Sequence, residues 1–144
     1  MPEPRIFTVQ EAERALPLVA RIVQDIVTAY PAWRETIGQY EMLAAGARAD
    51  EGETPELVAA RDAVSSHARA INEYLQELER IGCVFKGFDA GLVDFYSLRE
   101  DRLVFLCWRL GEPGITHWHE LDSGFAGRQP IDELSLASTS VTKH

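Results

Sequence analysis

The densest group of residues able to bind a metal lies in the segment 117–122, which reads HWHELD. In a β-strand, side chains two positions apart point to the same face of the sheet, so His117 and His119 would project together. Histidine nitrogens and carboxylate oxygens are common ligands of catalytic zinc. Glu120 or Asp122 would then serve as a fourth ligand or as a general base on metal-activated water, with Glu120 the candidate catalytic residue.

A cysteine on the preceding strand is a further candidate ligand. The segment Leu103–Arg109 reads LVFLCWR, is apolar on both faces and is predicted to be a central strand. A loop, residues 110–114, joins it to the next predicted strand, Ile115–Glu120. A hairpin of this length places Cys107 opposite His117 on the shared face, whereas a slip of one residue would turn the thiol to the other face.

These residues predict a site for a divalent metal such as zinc, made of Cys107, His117, His119 and Asp122. If Cys107 points away, histidine and carboxylate ligands alone would suit iron or manganese. In the alternative without a metal, His117 faces solvent and His119 is a structural residue held by a hydrogen bond. No cofactor is specified beyond this divalent metal.

Two arginines form a candidate anion site. Arg109 ends the central strand, and Arg128 lies in the glycine-rich segment 124–130, which is predicted to be a loop. Glycines let backbone N–H groups approach an anion closely, so the two arginines are predicted to hold a carboxylate or phosphate. In the alternative, both arginines pair with carboxylates of the protein itself: Glu112, Glu120 or Asp122.

Four short strands would position these side chains. Besides the two strands of the histidine hairpin, the alternation of apolar residues indicates strands at Cys83–Lys86 and Leu92–Tyr96, separated by the turn 87–91. Consecutive strands joined by short turns pair in antiparallel order. The second half of the chain is therefore predicted to be a small antiparallel sheet.

The first half has the pattern of a long helix. Thr8 and Glu11 form a capping box, and apolar residues then recur at alternating spacings of four and three up to Ala44. This spacing is typical of a coiled-coil face. Pro17 and Pro31 interrupt it, and we expect a kink near each or a break at Pro31.

A second helix follows the polar connection 46–53. Thr54 is its predicted N-cap, Pro55 its first residue and Gly82 its left-handed C-terminal stop. The same coiled-coil spacing runs between these ends. Two such helices joined by a short loop pack as an antiparallel hairpin.

The predicted fold class is α+β: a long antiparallel, coiled-coil-like helical hairpin followed by a small antiparallel sheet. Residues 1–131 are predicted to form a single domain, with the hairpin over 8–82 and the sheet and its C-terminal loop over 83–131. The Ser/Thr-rich residues 132–144 are predicted to be a frayed tail.

Charge and composition exclude several functions. The 144 residues carry 14 Lys and Arg against 23 Asp and Glu, a net charge of −9, and no basic cluster. Phosphate backbones and anionic lipid surfaces both require cationic side chains, so we expect no binding to nucleic acid or membranes. The N-terminus lacks the apolar segment of a secretory signal, and the two cysteines lack CxxC spacing, so a cytoplasmic location is expected.

Three segments resemble a known family. They are FTVQEAERALPLV from Phe7 to Val19, GCVFKGFDAGLVDF from Gly82 to Phe95, and the long stretch from Val104 to Ile131. Together they are similar to the bacterial domain-of-unknown-function 2203 family over roughly residues 6–131. The Trp118-His119 pair matches the family's pattern, as does the run 124–128. The resemblance implies no established activity.

Two functions from different classes follow from these patterns. The first is a non-enzymatic interaction or structural module that uses the helical hairpin to form a homo-oligomer or to bind a protein partner. Its support is the aromatic residues on the helical seams, which suit a helix–helix interface: Tyr30, Trp33, Tyr40 and Tyr74. The alternative is a metal-binding protein or metal-assisted hydrolase centred on the HWHE segment.

Overall fold

Two helices precede five strands in the structure, a computed structural model that describes residues 4–48, 50 and 52–132. Helix α1 (Val9–Gly46) packs against helix α2 (Pro55–Ile81). The strands are β1 (Cys83–Gly87), β2 (Leu92–Arg99), β3 (Arg102–Arg109), β4 (His117–Glu120) and β5 (Gln129–Pro130). The predicted α+β class is confirmed. Of the predicted tail, only Asp132 lies within the described residues.

The start of α1 is fixed both locally and to the sheet. Thr8 Oγ1 accepts a hydrogen bond from the Glu11 N–H at 3.1 Å, and the Glu11 carboxylate accepts one from the Thr8 N–H at 2.8 Å, so the predicted capping box is confirmed. One residue earlier, the Phe7 N–H donates to the Tyr96 carbonyl at 2.7 Å. Ser97 Oγ donates to the Phe7 carbonyl at 2.6 Å. These bonds tie the helix entrance to β2.

Helix α1 is continuous across both of its prolines, so the predicted option of a break at Pro31 was wrong. Pro17 and Pro31 are both exposed. A proline removes one backbone donor, and on an exposed face water can satisfy the carbonyl left without a partner. The other predicted ends are confirmed, with Thr54 capping α2 and Gly82 ending it at φ +110°.

The helical hairpin has a near part on the sheet and a far part beyond it. The buried residues of α1 lie between Ala12 and Ile26, and those of α2 are Ile71 and Leu78. Among the described residues from Val27 to Ala70, no side chain is fully buried. The far part of the hairpin, residues 27–70, therefore has no fully buried side chain among its described residues, although Tyr30 at its base stacks on Phe88 of the β1–β2 turn with ring centres 4.4 Å apart. Neither helix, as far as the structure describes them, has a segment apolar enough to cross a membrane.

The five strands form an antiparallel meander in the order β1-β2-β3-β4-β5. The predicted register of the histidine hairpin is confirmed, because Cys107 lies opposite His117. The prediction that 124–130 is only loop was wrong. Residues Phe125–Gly127 form a 3₁₀ turn, and Gln129–Pro130 pairs with β4 as β5. A two-residue strand is too short to produce a periodic pattern in the sequence.

The two faces of the sheet bury side chains of different polarity. The face toward the helices is apolar and joins the core cluster, with Val93, Phe95, Val104, Leu106, Trp108 and Trp118. Strand alternation puts Asp94, Cys107 and His119 on the opposite face, where they are also buried. The sheet thus holds a polar cluster on the side that faces away from its helices.

A glycine in the turn before β2 gives a test of this packing. Gly91 has φ +69°, and a Cβ there would lie 2.8 Å from Leu110 Cβ and 2.9 Å from Val23 Cγ1. Gly52 has a similar φ of +67° with no atom within 4 Å of such a Cβ. We expect Gly91→Ala to lower the free energy of unfolding by about 2–4 kcal/mol, and Gly52→Ala by about 1 kcal/mol, because only the first adds overpacking to left-handed strain. Urea denaturation measures both, and equal losses would contradict this packing.

Candidate metal centre

Three buried side chains bring potential metal ligands together on the outer face of the sheet. A carboxylate oxygen of Asp94, the sulfur of Cys107 and a ring nitrogen of His119 all lie within 4.8 Å of one another. The three residues are 3%, 1% and 2% exposed. Among the described residues, no other group of three His, Cys, Asp or Glu side chains meets this spacing.

The register of three neighbouring strands creates this cluster. Asp94 of β2 lies opposite Cys107 of β3, which lies opposite His117 of β4. His119 is two residues further along β4 and therefore on the same face, at the diagonal distance from Cys107 that long side chains can bridge. Each strand contributes one residue, so the cluster requires all three strands in register.

The orientation of the His119 ring is set by the contacts of its two nitrogens. Nδ1 lies 2.7 Å from the carbonyl oxygen of Glu120, and because a carbonyl only accepts, Nδ1 carries the proton and donates it. Nε2 lies 3.1 Å from Oδ1 of Asp94 and faces the cluster. Metal-binding histidines usually have this arrangement, with one N–H bonded to a carbonyl or carboxylate and the other nitrogen on the metal.

The cysteine is not an activated nucleophile. Burial, together with the neighbouring carboxylate of Asp94, raises the pKa of Cys107 to about 12. Burial also raises the pKa of Asp94, although the charge and hydrogen bond of His119 oppose this effect. A reactive thiol has a lowered pKa, so these three residues do not form a Cys–His nucleophilic pair. Metal binding, which displaces the thiol proton, suits the group better.

A pocket of about 190 Å³ connects the cluster with the exterior. Its walls consist of the three cluster residues and five others: Lys86, Leu92, Leu121, Gly124 and Phe125. A metal held by three protein ligands next to a pocket keeps a coordination position open, as catalytic and exchangeable zinc sites do.

Two of the predicted ligands join the cluster, and two do not. Cys107 and His119 are both members, as the sequence indicated. Nδ1 of His117 instead lies 2.9 Å from Thr116 Oγ1, and Asp122 is exposed. The third member is Asp94, which sequence reasoning missed. Its signal was a carboxylate inside a predicted strand, flanked by apolar residues on both sides.

The carboxylate of the candidate base Glu120 pairs with an arginine outside the cluster. Its carboxylate accepts two hydrogen bonds from Arg102, at 3.0 Å from Nε and 2.7 Å from Nη2. These hydrogen bonds lower the pKa of Glu120, which makes it a weaker base. Its side chain does not line the pocket, and its contribution to the cluster is the carbonyl that orients His119.

The two arginines of the candidate anion site differ, because Arg128 is engaged within the protein through its side chain and Arg109 through its backbone. Arg128 forms a two-pronged ion pair with Glu112, with nitrogen–oxygen distances of 3.0 and 2.9 Å, rather than with Glu120 or Asp122. The backbone N–H of Arg109 donates to the same carboxylate at 2.8 Å, and its side chain is exposed. The guanidinium of Arg128 also lies 4.5 Å from the ring centre of Phe125 and so supports a wall of the pocket.

The fold and the site define an α+β protein whose antiparallel sheet carries a buried Asp–Cys–His cluster on the face away from a helical hairpin. The chain belongs to the family described as Uncharacterized conserved protein (DUF2203), whose family model matches residues 5–131. The matched range includes all three cluster residues, and the family predicted from the sequence is confirmed. No curated protein and no solved structure was found to match the chain.

The hydrogen bonds of the cluster predict how Asp94→Asn behaves. An Asn side chain can donate to Nε2 of His119 and accept from the Cys107 thiol, so the metal-free variant should stay within about 1 kcal/mol of the wild type at neutral pH. Because the pKa of Asp94 is raised in the fold, the stability that this carboxyl contributes is present at low pH and is lost as pH rises through that pKa, so the variant should gain stability relative to the wild type as pH rises.

Chemical denaturation at several pH values, with a chelator present, measures both effects. Asp94→Ala is the matched control, because it removes the hydrogen bonds that Asn retains. If Asp94→Asn were as destabilised as Asp94→Ala at alkaline pH, this description of the hydrogen bonds would be wrong.

Proposed function

We propose that the protein binds a divalent transition metal, in the first place zinc, through Asp94, Cys107 and His119. The supporting observation is the spacing of the three ligand atoms, all within 4.8 Å of one another. In a tetrahedral zinc site with bonds of about 2.0–2.1 Å, ligand atoms lie about 3.3 Å apart. The distance of 3.1 Å between His119 Nε2 and Asp94 Oδ1 is close to that value.

The donor set favours zinc over other common metals. A thiolate and an imidazole suit zinc, whereas magnesium and calcium prefer oxygen ligands alone. Iron or manganese was the expectation for a site without sulfur, and Cys107 lies within the cluster. A deprotonated Cys107 and an ionised Asp94 would also balance the two positive charges of the metal.

The pocket supports metal binding more than metal-assisted hydrolysis. Zinc would supply Lewis-acid activation of a molecule at the open position. Once Asp94, Cys107 and His119 serve as ligands, the described residues lining the pocket offer no further carboxylate or imidazole as a general base. The predicted base, Glu120, is paired with Arg102.

Zinc binding is tested by two histidine variants from the same strand. Zinc at one hundred times its dissociation constant should stabilise the wild type by about 2.7 kcal/mol, seen as a higher melting temperature. His119→Gln should abolish this gain, while His117→Gln should keep it, since His117 is not in the cluster. Asp94→Asn provides a second variant expected to remain folded and to lose the zinc effect.

The protonation of Cys107 predicts that zinc affinity depends on pH. Because the pKa of Cys107 is raised to about 12, the thiol is protonated at neutral pH and zinc must displace its proton. Affinity measured by calorimetry should therefore fall by at least about tenfold for each unit of decreasing pH. A wild type without zinc stabilisation, or a pH-independent affinity, would contradict the proposed site.

A separate observation favours a second function, self-association through the far part of the hairpin. Two apolar side chains near its tip are exposed, Met42 at 78% and Leu43 at 43%. Exposed apolar groups next to a half-buried helical seam are typical of helix–helix contacts between molecules. We propose a homo-oligomer or a protein partner at this surface, in a cytoplasmic protein that does not bind nucleic acid or membranes.

Sedimentation at micromolar concentration tests this surface. Replacing Met42 and Leu43 together with Glu should shift the protein toward the monomer, because charge would be buried in the interface. Leu18, which is 53% exposed in the near part of the hairpin, provides the control Leu18→Glu, expected to leave the assembly unchanged. A wild type that sediments as a monomer would exclude the homo-oligomer.

A further inference from the structure

We propose that the open position of the metal site takes a small organic monoanion, such as a short-chain carboxylate, with Lys86 as its charge partner. The inference rests on the proposed metal site. Its basis is the composition of the pocket wall, where one cation stands among apolar groups. Besides the three ligands and Lys86, the wall consists of Leu92, Leu121, Gly124 and Phe125.

Lys86 reaches the pocket, and its ammonium is not neutralised by an ion pair with a carboxylate of the described residues. Lys86 lies in β1 at an irregularity in the pairing with β2, between Phe85 and Gly87, and its side chain lines the pocket beside Asp94. Its ammonium nitrogen lies 5.2 Å from the ring centre of Phe105, which holds it over the outer face of the sheet. Within the described part of the chain, Lys86 forms no ion pair within 4.0 Å, although its charge acts on the pKa of Asp94.

The charge balance at the site selects a ligand with one negative charge. Ionised Asp94 and Cys107 neutralise a divalent metal, and His119 is a neutral ligand when its Nε2 binds the metal. The ammonium of Lys86 then gives the pocket one net positive charge. A carboxylate would bind the metal through one oxygen and accept a charge-assisted hydrogen bond from Lys86.

The remaining walls favour a ligand with an apolar body. Leu92, Leu121 and Phe125 surround the opening, and the pocket of about 190 Å³ has room for a short chain. Phe125 is held in place by Arg128, whose charge is already matched by Glu112. Inorganic phosphate has no apolar part to bury against these side chains, so the pocket should discriminate against it.

Visible spectroscopy of the cobalt(II)-loaded protein tests the proposal, because the d–d bands report directly on coordination. Butyrate should change these bands at lower concentrations than inorganic phosphate does. Lys86→Met, which keeps an unbranched side chain only one atom shorter and removes the charge, should weaken butyrate binding by about tenfold or more. Lys86→Arg, which keeps the charge, should bind butyrate within a few-fold of the wild type.

The outcomes separate the two proposals. If cobalt produces no tetrahedral d–d bands, the metal site itself is wrong and this inference falls with it. If the bands form but butyrate does not change them, the metal site stands and the organic anion is wrong. Equal butyrate binding by the wild type and Lys86→Met overturns the role of Lys86, and tighter binding of phosphate than of butyrate overturns the apolar pocket.

Discussion

The imidazole of His119 and the carboxylate of Asp94 meet 3.1 Å apart in a place that water hardly reaches. Since Nδ1 of the imidazole already donates to a carbonyl, Nε2 presents a lone pair to the carboxylate unless a proton or a cation lies between them. A buried carboxylate that faced a lone pair without either would be strongly destabilising. The pair therefore needs either a proton shared between Nε2 and the carboxylate or a metal ion that both of them bind.

The rest of the fold keeps that contact in place. Three strands have to stay in register, because each supplies one member of the cluster. The apolar face of the same strands packs on the near part of the helical hairpin, and the bonds between Phe7, Tyr96 and Ser97 fix the entrance of α1 to β2. The near part of the hairpin supports the sheet, while the far part, residues 27–70, has no fully buried side chain among its described residues.

Ion pairs around the cluster determine which carboxylates remain for a metal. Glu120 is held by Arg102 and Glu112 by Arg128, so two acidic residues close to the histidines are already engaged. Asp94 instead pairs with His119 inside the cluster. The choice of ligand among several neighbouring carboxylates thus follows from where the arginines are placed. A net charge of −9 says nothing about this choice.

Features decided by neighbouring residues could be predicted from the sequence by itself. The Thr8–Glu11 capping box, the Thr54 cap and the Gly82 stop depend on hydrogen bonds and backbone angles within a few residues. The opposition of Cys107 and His117 followed from the length of one hairpin loop. The α+β order and the family followed from periodicity and from long matching segments.

The composition of the site was decided by tertiary structure. Asp94 and His119 are 25 residues apart in the chain, and only the paired registers of β2, β3 and β4 bring them together. His117 and His119 share a face and have the same side chain, yet only His119 turns toward the cluster, because its Nδ1 finds the Glu120 carbonyl. Strand periodicity specifies the face of a side chain. Its ring orientation and its partner depend on atoms that other strands supply.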